Sequence, residues 1–273
     1  MPDEHAAIDV DQEGPTEDPD DGMSIGFLGS MQPCDADRVS LRLLQMLGSS
    51  TTSKRPVRSA RTISEIYSPP RVTAELRRCR NQQVLPGFAL DLTVLDPDDG
   101  QAWDFSRKSK RDKALRMVLR EKPYLFIGSP MCTAFSTWQA LNQSRTDPER
   151  MRRAYDRAVQ HMEFVTMLYQ EQLHAGRYFL HEHPESASSW VFKCIRTLLQ
   201  TPGVQRVVGD QCQYGALVNS GVSAGQPVKK PTGFMTNSPE IAQELKLRCQ
   251  GGPTPGACSR PVGGHHTHTA AER

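Results

Sequence analysis

Tyr124-Leu-Phe-Ile-Gly-Ser-Pro-Met-Cys-Thr-Ala-Phe-Ser-Thr-Trp138 decides how the rest of the chain is read. Tyr124 to Ile127 is a short apolar run with the aromatic and β-branched content of a buried strand. Gly128, Ser129 and Pro130 end that strand, and Cys132 follows at once. In an open α/β sheet, ligands and chemistry lie just beyond the carboxyl ends of the strands. Cys132 therefore stands where a nucleophile belongs. A lone cysteine is more often a small buried hydrophobe, so position alone does not make it catalytic.

Arg177-Tyr-Phe-Leu-His-Glu-His-Pro184 supplies the second sign, because it too runs from an apolar strand into polar residues and a proline. Glu182 is expected on the same rim as Cys132, where a thiolate and a carboxyl can act as nucleophile and proton donor. On a strand, His181 and His183 point to one side and Glu182 to the other, so the three do not converge on a metal. Around these stretches the pattern alternates. Strands are expected over Thr62–Tyr67, Phe88–Leu90 and Val204–Val208, with a strand or hairpin over Val228–Thr236. Helices are expected over Val72–Asn81, Ser109–Glu121, Asp147–Ala175, Ser186–Gln200 and Pro239–Arg248. Asp147-Pro148 starts the long helix and Gly176 stops it. Such alternation predicts an α/β fold with a doubly wound, mostly parallel sheet over residues 62–248.

The 273 residues carry a formal charge of +2 that conceals an asymmetry. Met1 to Asp37 holds eleven acidic residues and no lysine or arginine, leaving 33 basic against 20 acidic groups in the remaining 236 residues. A basic body with an acidic tail suits a polyanion partner, and a solvated charged face explains the same counts about equally well. Hydrophobic content of 37% and a mean hydropathy of −0.55 predict disorder in part of the chain. Residues 1–38 read as a disordered acidic tail, 39–61 as a short helix and basic linker, and 249–273 as a flexible Gly/His-rich tail. Seven cysteines without a Cys-x-x-Cys pair argue against a secreted disulfide framework. No run is long and apolar enough to cross a bilayer and the N-terminus is acidic, so the expected location is intracellular, nuclear or cytoplasmic. Cys249, Cys258, His265, His266 and His268 match no common zinc spacing, and no metal is expected.

Ser129-Pro-Met-Cys-Thr-Ala-Phe-Ser136 resembles the Pro-Cys loop of DNA cytosine-5 methyltransferases, and Glu182-His-Pro184 resembles their Glu-Asn-Pro or Glu-Asn-Val loop. The likeness is closest to divergent phage and retroelement-associated versions and spans roughly Ile63 to Cys258. Gln211-Cys-Gln-Tyr-Gly215 and Lys229-Lys-Pro-Thr-Gly-Phe-Met-Thr-Asn237 are similar to the late strands of that branch. The resemblance implies a Rossmann-like methyltransferase fold, S-adenosylmethionine as cofactor and DNA as partner. It implies Cys132 as nucleophile, Glu182 as proton donor, and Glu65, Asp91 and Asp104 as cofactor residues. Ser136, Arg145 and Lys230 are the implied nucleic-acid contacts, with the basic stretches Arg107–Lys122 and Arg145–Arg153 beside phosphate. The sequence also departs from the family. Met131 replaces a proline, Ser68-Pro69-Pro70 stands where glycines would let backbone approach the cofactor, and the Gln-x-Arg-x-Arg segment is absent. These departures favour the alternative of a catalytically inactive methyltransferase-like segment of a mobile-element polyprotein that binds nucleic acid.

Overall fold

Strands and helices alternate from Arg61 onward, as the apolar periodicity requires. The computed structural model describes residues 61–78, 84–135, 147–217, 225, 227 and 229–249. The expected tails, the short helix and the linker lie outside the described residues, as do Ser136 and Arg145. The order is β1 (Arg61–Ile66), α1 (Val72–Arg78), β2 (Val84–Leu90), α2 (Lys108–Glu121), β3 (Leu125–Gly128), α3 (Pro148–His174), β4 (Tyr178–Pro184), α4 (Lys193–Leu199), β5 (Gln205–Asp210), β6 (Pro231–Thr236) and α5 (Pro239–Glu244). One sheet runs β2-β1-β3-β4-β6-β5. Its pairs are parallel except those of β6, which is antiparallel to both neighbours. A mostly parallel six-stranded sheet covered on both faces is compatible with a Rossmann-like fold.

Successive strand residues serve opposite cores, because side chains alternate along a strand. Leu125, Ile127 and Leu180 pack with Val72 and Leu76 of α1 and with Ile241 of α5. Phe126, Phe179 and Met235 pack with Ala114 and Val118 of α2, Met162 and Val165 of α3, and Ile195 and Leu198 of α4. Burying one such side chain stabilises by about 1.5–3 kcal/mol. Gly128 closes β3 on the α3 face, and a Cβ there would run into the Tyr169 hydroxyl and Val165. Its bareness lets α3 lie close, so that Tyr169 stacks on Phe179 with ring centroids 4.7 Å apart. The Asp147 carboxylate caps α3 by accepting from the Glu149 and Arg150 amides, and Gly176 takes a left-handed φ of 65° just past its end.

Several expected elements change in extent. β2 starts at Val84 and includes Pro86, which is tolerated because β2 is an edge strand. The helix expected over Ser186–Gln200 splits into a 3-10 turn, Ser188–Val191, and α4, with Phe192 extended between them. Trp190 is the reason. Its indole N–H donates to the Pro184 carbonyl at 2.7 Å, and its ring meets His181 edge-on. α5 stops at Glu244, and the chain beyond turns to β5, where the Leu247 carbonyl accepts from the Asp210 amide at 2.9 Å. Among the described residues no helix is long and apolar enough to cross a membrane.

Candidate active site

The chain runs outward from β1 to β2 and then crosses back to β3 and β4, so strand order reverses between β1 and β3. Such a switch point opens a crevice at the carboxyl ends of the strands. A cleft of about 430 Å³, open to solvent, lies there. Tyr67 follows β1, Asp91 and Leu92 follow β2, and Ser129 and Met131 follow β3; all five line it. Trp103, Asp104 and Phe105 reach it from the β2–α2 loop, and His161 from α3.

Cys132 sits beyond β3 in the same loop as Ser129 and Met131, and the 3-10 turn Thr133–Phe135 follows it. Phe135 braces this loop through edge-on contacts with Phe192 at 5.1 Å and Tyr155, and a tilted contact with His183. β3 and β4 pair in parallel, which brings Glu182 to the same rim. Its two flanking histidines stack on each other at 5.5 Å on the opposite face, against Tyr169 and Trp190. Glu182 is buried, and burial pushes its carboxyl up to about 6, against the opposing pull of Lys230, Ser129 and Arg71. Burial also pushes the Cys132 thiol up; the Lys230 ammonium draws it back down and the Glu182 carboxylate adds to the rise. Cys132, Glu182 and Lys230 thus share one electrostatic neighbourhood. Ser129 Oγ and Glu182 Oε1 are both buried there, and the Ser129 hydroxyl faces the carboxyl.

The three implied cofactor carboxylates separate. Asp91 and Asp104 line the cleft, each with one oxygen used locally. Asp91 Oδ1 accepts from the Thr93 amide and hydroxyl, and Asp104 Oδ1 from the Ser106 amide. Glu65 is not among the lining residues. Its Oε1 instead accepts from the Arg71 amide, the Thr73 amide and the Thr73 hydroxyl, holding the start of α1. Full burial outweighs those bonds and raises its carboxyl, and Oε2 is left without a described partner.

Part of the basic stretch around α2 is turned to internal use, while Arg107, Lys108, Arg116, Arg120 and Lys122 stay exposed. Lys110 is 2% exposed and pairs with Asp96 and Asp99 at 2.7 Å, while Lys113 pairs with Asp96 and Asp98. Both ammonium groups also lie over the Trp103 ring. These pairs pin the β2–α2 loop, and with it one wall of the cleft. In α3, Arg152 and Arg153 both reach Glu149.

Tyr67, Arg71, Ser129 and His161 are site residues that sequence reasoning missed. Ser129 and Arg71 carried a signal, since one opens the Pro-Cys stretch and the other follows two prolines. Tyr67 and His161, joined by a 3.0 Å hydrogen bond across 94 residues, carried none. A scan against protein-family models and a search of curated proteins each found no match for this chain.

Proposed function

We propose that this domain transfers a methyl group from S-adenosylmethionine to carbon 5 of cytosine in DNA. The observation that carries the reading is the buried Glu182 carboxyl on the rim it shares with the Cys132 loop, with the Lys230 charge acting on both groups. Carbon 5 of cytosine is too weak a nucleophile to take a methyl unaided. Addition of the Cys132 thiolate to carbon 6, with a proton passing from Glu182 to ring nitrogen 3, turns the ring into an enamine that is nucleophilic at carbon 5. Once the methyl is on carbon 5 and S-adenosylhomocysteine has been released, loss of the carbon 5 proton to water expels the thiolate, and ring nitrogen 3 returns its proton to Glu182. The base has to leave the duplex to reach such a site.

The cleft supports the cofactor half of the reading. It lies at the switch point of the sheet, where open α/β folds place their ligands. Trp103 and Phe105 offer apolar walls to a purine, and Asp91 is placed for ribose hydroxyls, as a carboxylate after the second strand is in dinucleotide sites. When bound, S-adenosylmethionine supplies an electrophilic methyl group on sulfur. Ser129 and Met131 join the cleft to the Cys132 loop, so the methyl and the base have a common wall.

A second reading, nucleic-acid binding without transfer, is favoured by one observation. Burial of Cys132 disfavours its thiolate, the form that adds to the ring. Methyl transfer from labelled S-adenosylmethionine to DNA separates the two. The proposed function predicts transfer by the intact chain, its abolition in Cys132→Ser, and a severe loss in Glu182→Gln with DNA binding retained. DNA binding with no transfer by the intact chain selects the second reading.

A further inference from the structure

The turn from β1 into α1 is where an open α/β sheet usually presents backbone amides to an anionic ligand. Here the turn keeps the shape of such a loop and gives up the donors. Tyr67 takes the left-handed φ of 58° that a glycine normally supplies, and its amide donates to the Leu90 carbonyl at 2.9 Å. Pro69 and Pro70 have no N–H. The Arg71 and Thr73 amides are taken by Glu65 Oε1 at 3.1 and 2.7 Å.

The guanidinium of Arg71 is the donor that remains. Its Nη1 is buried and completes no hydrogen bond to a described residue, an arrangement that native proteins largely avoid unless a partner is missing. Its charge lies within the influence of Glu65, Glu182 and Asp91. Tyr67, which opens this turn, and Asp91 both line the cleft, and Arg71 closes the turn with its amide on Glu65. A cofactor with its nucleoside along Asp91 and Asp104 would carry its amino-acid end toward the β1–α1 turn that Tyr67 opens. We propose that Arg71 receives the carboxylate of that amino-acid end, replacing with one side chain the backbone cradle that the Tyr67–Pro70 turn lacks. The proposal rests on the reading of the cleft as the cofactor site.

Calorimetry with two ligands tests it without any turnover. S-adenosylhomocysteine carries the carboxylate; 5′-methylthioadenosine shares its nucleoside and sulfur and lacks the amino-acid end. In the full chain, Arg71→Met is expected to weaken S-adenosylhomocysteine by about 10- to 100-fold, as loss of a charge-assisted pair does. Binding of 5′-methylthioadenosine should be unchanged, which also shows that the variant is folded, and Arg71→Lys should recover part of the loss. Equal losses for both ligands, or no loss for either, overturn the role of Arg71 while leaving the cofactor site standing. Failure of the unaltered chain to bind either ligand overturns the cofactor reading and this proposal with it.

Discussion

Glu182 is asked to be two things, a buried residue and an acid at working pH, and burial provides the second. Its carboxyl is raised from 4.5 to about 6, so the neutral form is the one the fold favours. The stability linked to this group is fully present below pH 4.5 and is lost as pH rises through about 6. Glu182→Gln is therefore expected to be more stable than the native chain above pH 6, by on the order of 2 kcal/mol, and equal to it below pH 4.5. Chemical denaturation at the two ends of that window measures this, and a variant less stable at the upper end contradicts it. Transfer by the native chain should decline above about pH 6 as the acid is titrated. The placement of Cys132 and Glu182 on one rim was legible in the sequence because each stands at the end of a short apolar strand, and those strands pair in parallel. The spread of the carboxylates was not. Glu65 reads in sequence as a cofactor ligand or as the cap of a turn, and the choice between them depends on Thr73, which no spacing rule ties to it.

Element by element, the sequence revealed what periodicity encodes and little of what tertiary contact imposes. The alternation of strands and helices, the capped start of α3 and its glycine stop were all readable. The reversed direction of β6 was not, since a strand carries no mark of its partner's sense. The break at Phe192 comes from the Trp190 anchor, and the helix pattern around it gives no warning. Packing of α3 on β3 depends on Gly128, so Gly128→Ala should cost about 1–3 kcal/mol through overpacking against Tyr169 and Val165. Tyr169→Phe removes the hydroxyl in the way and should restore part of that loss in the double variant; strict additivity of the two changes would contradict the contact. Lys110→Met should destabilise by about 3 kcal/mol, because it leaves Asp96 buried with one cation instead of two. Full stability of Lys110→Met in a thermal scan would show that α2 is not pinned this way.

At the scale of the whole molecule, net charge overstates the charge offered to a polyanion. The excess of 33 basic over 20 acidic groups beyond Asp37 was legible, but Lys110 and Lys113 spend theirs on Asp96, Asp98 and Asp99. DNA binding by the body is expected to be weak and steeply dependent on salt. Removing the residues before Arg38, which carry eleven acidic groups, should tighten it. An affinity that stays constant on raising salt several-fold contradicts an electrostatic mode. The most direct test of the account as a whole is covalent trapping. DNA containing 5-fluorocytosine, incubated with S-adenosylmethionine and the full chain, presents a base whose fluorine blocks the release step. The account predicts a denaturation-resistant protein–DNA adduct that maps to Cys132 and vanishes in Cys132→Ser. Measurable DNA binding at saturating S-adenosylmethionine without any adduct would contradict it.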